Sequence, residues 1–193
     1  MESNGKNSLN DGTNGKVGTK GSTLWVCELV FRLVCVATTL AAAVVMGDAK
    51  ETEQVPLQLT PSLPAVLYPV TAKSSYSSAF VYFIIANAIA CGYSIISLGG
   101  AIANRGRRGK LAMLIFIIDE LMLALLFSGN GAAAAIGNVG ENGNSHVGWN
   151  KICNVFTKFC SHVKISVILS LVGALNYVFL ALISIISLHK KDT

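Results

Sequence analysis

The chain has 193 residues and a formal net charge of +5, with 52% hydrophobic and only 13% charged residues, against roughly 25% charged in soluble domains. A soluble domain of this length cannot hide so much apolar surface. The apolar residues are grouped in long runs instead of alternating with polar ones, which excludes amphipathic packing in water and points to lipid as the solvent.

Residues 1–23 open the chain as a tail rich in Gly, Asn, Ser, Thr and Lys. Almost no large apolar side chain is available up to Lys20 to offset ordering entropy, so a disordered cytoplasmic tail is expected. The segment also lacks the short basic region and prompt cleavage site of a secretory signal peptide, so the first apolar run is expected to stay as an anchor.

Four runs reach the roughly 20 residues that span about 30 Å of hydrocarbon: residues 24–46, 78–98, 111–136 and 165–188. They are too long for barrel strands of about 10 residues, and backbone groups in lipid must be satisfied within the segment, so helices follow. Short connections return each helix beside its predecessor. The expected fold is an all-α membrane protein, an antiparallel four-transmembrane-helix bundle over 24–188 with a short tail at 189–193.

Orientation follows the basic residues near the span ends. Arg105, Arg107, Arg108 and Lys110 fill the second connection without an acid, and Lys16, Lys20, Lys190 and Lys191 flank the outer runs. All are expected on the cytoplasmic side, with both termini. Lys151, Lys158 and Lys164 oppose this bias, but the summed count keeps it. The net charge is then a topology signal and an attraction to anionic inner-leaflet lipid; nucleic-acid binding is not needed to explain it.

The first outer connection holds all 4 prolines, Pro56, Pro61, Pro64 and Pro69. They exclude a regular helix and predict a surface connector.

Four charged residues, Glu28, Arg32, Asp119 and Glu120, lie inside the spans. Arg32 is about eight residues into the first and Asp119 about eight into the third, so both sit about 12 Å from the cytoplasmic boundary at about 1.5 Å per residue. An unpaired ion at that depth costs at least about 2.5–3.5 kcal/mol, which favours an interhelical Arg32–Asp119 pair as a structural clamp. Two alternatives stand beside it: Glu28, one turn from Arg32, as a local partner, or an Arg32 that snorkels to the headgroups. Glu120 points about 100° away from Asp119 on an ideal helix.

The segment from Trp149 to Cys160 follows the third run. Topology puts it in an oxidising compartment, where Cys153 and Cys160 can form a disulfide. Trp149, Ile152, Cys153, Phe156, Cys160 and Val163 also follow helical spacing, and a straight helix holds the two sulfurs' residues about 10 Å apart. Either the segment bends, or it is an interfacial helix with free thiols. Trp149 is expected at the headgroup level. His146 and His162 flank the pair, but the cysteine gap is wider than the roughly two to four residues usual for zinc, so no metal is expected. Cys27, Cys35 and Cys91 read as small apolar residues within spans.

No nucleophile, acid or base cluster for catalysis is present apart from the Glu28, Arg32, Asp119 and Glu120 group, and no phosphate-cradling loop, so neither an enzyme nor a cofactor site is expected. Small residues at four-residue spacing, Gly131 with Ala135, Ala133 with Gly137 and Ala88 with Gly92, let helices approach closely, within the bundle or between copies.

Arg32, Asp119, the sequence Trp149, Cys153, Cys160 and the run from Ala79 to Tyr93 together resemble the plant CASP-like proteins, relatives of the Casparian strip membrane domain proteins and more distantly of the MARVEL four-span fold. The resemblance covers residues 24–188. It implies a plasma-membrane protein that forms homodimers and heterodimers with related four-span proteins. Founding members build a membrane scaffold that directs local cell-wall modification, which implies extracellular wall-modifying enzymes as partners. The segment from Gly47 to Ser77 lacks the Glu-Ser-Leu-Pro-Phe-Phe type signature of strip-forming members. A scaffold is thus the leading expectation; a small transporter or channel subunit using its intramembrane charges is the rival. A claudin-like junction protein would carry the Trp and Cys motif in its first outer loop.

Overall fold

A computed structural model describes residues 14–57, 66–103 and 110–189. Its elements in chain order are helix α1 (Asn14–Gly47), strands β1 (Lys50–Leu57) and β2 (Val66–Lys73), helix α2 (Ser78–Ala103), helix α3 (Lys110–Asn142) and helix α4 (Thr157–His189). Short 3-10 turns at Ser74–Tyr76 and Ser145–Val147 lead into α2 and out of α3. All four α-helices are long and apolar enough to cross a membrane.

The helices run past the expected spans. Most notably, α1 begins at Asn14, inside the segment expected to be a disordered tail, and α4 begins at Thr157 instead of residue 165. Residues 1–13, the arginines at 105, 107 and 108, and Lys190 and Lys191 lie outside the described residues.

Adjacent helix pairs are α1–α2, α2–α3, α3–α4 and α4–α1, which makes a four-sided bundle with α1 and α3 on one diagonal. Cross-links between neighbours run in opposite chain directions. Trp25 Nε1 donates to the Ala101 carbonyl at 3.1 Å near one end, and Cys91 Sγ approaches the Val36 carbonyl at 3.8 Å further along. Close approach is set by glycines. A Cβ on Gly173 of α4 would lie 3.0 Å from Thr38 Oγ1 and 3.1 Å from Thr39 Cγ2 of α1, and one on Gly129 of α3 would lie 3.3 Å from Ala86 Cβ of α2.

The first connection is extended and not helical, as its prolines imply, and it is further ordered into a hairpin. β1 and β2 pair antiparallel from Lys50 opposite Lys73 to Leu57 opposite Val66, with Thr52 and Thr71 hydroxyls 2.9 Å apart across the strands. Each strand of a two-stranded ribbon has one open edge, and a proline whose nitrogen faces that edge removes no ladder bond. Pro56 and Pro69 are therefore tolerated within strands. Val70 and Ala72 rest on an apolar cluster at this end of the bundle that includes Met46, Phe80, Phe83 and Phe159. We call this the hairpin end. A second cluster, with Cys35, Leu126, Tyr177 and Leu180, fills the middle.

The small-residue pairs divide between two environments. Ala133 is buried, and a Cβ on Gly137 would touch Val163 at 3.5 Å, so this pair packs inside the bundle. Ala88, Gly92, Gly131 and Ala135 are exposed, and nothing lies within 4 Å of a Cβ built on Gly92 or Gly131. Those two pairs face outward.

Candidate functional site

Arg32 and Asp119 meet across the α1–α3 diagonal in the half of the bundle away from the hairpin. Nη1 donates to Asp119 Oδ1 at 3.2 Å and Nη2 to Oδ2 at 3.0 Å, a two-pronged geometry that matches the guanidinium fork to the carboxylate. Each residue is only 1% exposed. Arg32 Nε donates to Glu28 Oε1 at 3.1 Å, so the two partners weighed as alternatives are engaged together. The Glu28 side chain is 27% exposed and forms the wet edge of the group.

Asp119 gains a second partner. Tyr93 Oη on α2 lies 2.9 Å from Asp119 Oδ1 and 3.2 Å from the Ile115 carbonyl, so its single proton is directed at both. The cluster thereby joins α1, α2 and α3. Burying ions is costly unless their remaining bonding sites are filled, and here three guanidinium nitrogens and both carboxylate oxygens are used. This arrangement holds charge in place.

Further polar contacts continue toward the hairpin. Ser94 and Tyr177 hydroxyls lie 2.6 Å apart, and Tyr177 Oη donates to the Ala90 carbonyl at 3.1 Å, tying α2 to α4. Asn130 Nδ2 donates to Ser170 Oγ at 3.1 Å, tying α3 to α4. Asn87 is fully buried and donates to the Phe83 carbonyl of its own helix at 3.0 Å. The sequence reading missed Tyr93, Ser94, Asn130, Ser170 and Tyr177. Their signal was the spacing of Asn87, Cys91 and Ser94, which lines polar and small groups along one face of an otherwise apolar helix.

At the hairpin end, Cys153 and Cys160 form a disulfide with Cα atoms 5.7 Å apart. The straight-helix alternative fails because α4 starts only at Thr157; Cys153 lies in the preceding turn, where Val155 and Phe156 amides both bond the Ile152 carbonyl. The bend brings Cys153 back onto Cys160, in the first turn of α4. Glu51 of β1 accepts a hydrogen bond from the Phe159 amide at 2.8 Å, supplying an acceptor for an otherwise orphan donor at this helix start. The hairpin, the disulfide and α4 are therefore one linked unit.

The turn before the disulfide depends on glycine. α3 closes with the Gly143 amide on the Val139 carbonyl at 2.8 Å, and Gly143 has φ of 68°. A Cβ there would sit 2.7 Å from the Trp149 carbonyl, which itself accepts from the Asn144 amide at 2.9 Å. Trp149 projects outward, 58% exposed. His146 is exposed and His162 bonds the Lys158 carbonyl of its own helix. Among the described residues, no group of three or more His, Cys, Asp or Glu side chains is gathered to hold a metal ion.

Four long apolar helices enclosing a paired charge define a multi-pass membrane protein. The Casparian strip membrane protein domain matches residues 21–176, and the chain belongs to this family. CASP-like protein 1E1 of Glycine max is 50% identical over 166 residues, covering 86% of this chain and 88% of its own. CASP-like protein 1E2 of Arabidopsis thaliana is 47% identical over 191 residues, covering 97% of this chain and all of its own. CASP-like protein 1E1 of Populus trichocarpa is 44% identical over the full length of both. No solved structure matches the chain.

Proposed function

We propose that this protein is a non-catalytic plasma-membrane scaffold that associates with itself and with related four-span proteins, organising a membrane domain linked to local cell-wall modification. Both termini face the cytoplasm in this reading, and the hairpin and disulfide face the wall, where wall-modifying enzymes are the partners. The basic residues around the second connection support that orientation. Membership of the Casparian strip membrane protein domain family supports the scaffold role.

The observation that carries self-association is the outward face of Ala88 and Gly92 on α2 and of Gly131 and Ala135 on α3. Small residues with open space above them leave room for another helix backbone to approach, and in lipid such approach is driven by packing and not by hydrophobicity. Among the described residues, nothing lies within 4 Å of a Cβ built on Gly92 or Gly131.

The test is energy transfer between donor-tagged and acceptor-tagged copies in membranes. Gly92→Leu together with Gly131→Leu is expected to lower transfer several-fold while the thermal midpoint of the purified protein does not fall, because a Cβ at either position meets nothing within 4 Å and leucine favours a helix over glycine. Undiminished transfer in that variant would remove the proposed surface.

A further inference from the structure

Between the hairpin-end halves of α3 and α4 lies a cavity of about 320 Å³, at the small end of the roughly 300–1,000 Å³ range of ligand sites. Its wall on α3 is slim because Ala133, Ala134, Gly137 and Gly140 supply it, and Val167 and Ile168 face them from α4. The disulfide and Ile152 close its outer end. From Ala133 to Glu141 the cavity follows the bundle for about 12 Å at about 1.5 Å per residue.

The side of the cavity is apolar and continuous with the lipid-facing surface: Ile136 and Ile168 are both exposed beside it. Its rim differs. Lys164 Nζ donates to Glu141 Oε1 at 2.6 Å, and the two side chains remain 57% and 48% exposed. Each keeps bonding capacity beyond that single contact, since an ammonium has three donors and a carboxylate roughly four lone-pair sites. An elongated apolar slot below two adjacent, opposite and accessible charges matches the shape of a zwitterionic lipid at a bilayer surface: an acyl chain below a headgroup that bears a phosphate and a cationic nitrogen.

We propose that this cavity seats one acyl chain of a zwitterionic phospholipid from the leaflet on the hairpin side, with the phosphate on Lys164 and the cationic nitrogen of the headgroup held by the charge of Glu141. The lipid fills the gap left by the slim face of α3 and joins the disulfide unit to the membrane surface.

Full-length protein is reconstituted into nanodiscs of phosphatidylcholine, phosphatidylglycerol and sterol in equal amounts, released into mild detergent and weighed by native mass spectrometry. One phosphatidylcholine per chain is expected to persist, favoured over phosphatidylglycerol by about five-fold, the discrimination one exposed ion contact can supply. Ala134→Phe fills the slot from its exposed wall and is expected to abolish retention, with melting and an intact disulfide confirming its fold. Glu141→Gln with Lys164→Gln, both at the exposed rim, is expected to erase the choice between the two phospholipids. Retention by Ala134→Phe equal to the wild type, equal retention of phosphatidylglycerol or sterol by the wild type, or a protein dimer in place of the lipid would each overturn the proposal. Should Ala134→Phe not fold, the rim variant decides alone: an unchanged preference overturns the headgroup assignment and with it the seat.

Discussion

Asp119→Ala is expected to cost about 3–5 kcal/mol, the range for removing one partner of a buried ion pair, out of a total stability of roughly 5–15 kcal/mol. The cause is Arg32. At 1% exposure its guanidinium cannot reach water, and without Asp119 it retains only Glu28 at the edge of the cluster. Arg32→Ala is expected to be comparably damaging, since it leaves the Asp119 carboxylate with the Tyr93 hydroxyl alone. The double variant removes both ions and is expected to be milder than the sum by about 1–3 kcal/mol, the coupling seen between contacting residues. Thermal unfolding midpoints in one detergent, read for all four proteins of the cycle, measure it. Additive losses would mean that the diagonal contact contributes no coupling.

Loss of the disulfide is the second large effect. On a chain-entropy estimate, closing so short a loop contributes about 2.5 kcal/mol. The expected consequence extends further because Cys160 is buried among Phe156, Phe159 and Val163, and because Glu51 holds the Phe159 amide next to it. Replacing Cys153 and Cys160 together with Ser is expected to lower the unfolding midpoint, and a reductant is expected to bring the wild type down to the same level. The Ser variant should not respond to reductant. A wild type whose midpoint ignores reductant, with both thiols then open to alkylation, would contradict a stabilising role for this bond.

The apolar runs made the four long helices legible, and equal depth was enough to pair Arg32 with Asp119. Depth alone could not say that α1 and α3 are diagonal, because adjacency depends on side-chain fit such as Gly173 against Thr38 and Gly129 against Ala86. The start of α4 was hidden by Lys158, His162 and Lys164, which break the hydropathy of about two turns that are nonetheless helical. The helical spacing from Trp149 to Val163 held only beyond Thr157, where the helix begins; the earlier part is a turn folded back by the disulfide.

The hairpin was obscured for a different reason. Charged residues dominate the start of β1, and prolines usually demote a strand, yet a two-stranded ribbon has open edges that accept both. Tyr93, Tyr177, Asn130 and Ser170 were overlooked because a hydroxyl or amide within an apolar run does not interrupt its hydropathy. Only the packed bundle brings Ser94 to Tyr177 and Asn130 to Ser170.

The central claim is that the intramembrane charges hold helices together and move nothing. Purified protein in liposomes, assayed for ion and proton flux beside its Asp119→Asn variant, tests it most directly. Flux no greater than that of protein-free liposomes, from both proteins, is the predicted result. Robust flux through the wild type that Asp119→Asn abolishes would contradict it and make the Arg32–Asp119 cluster part of a conduction path.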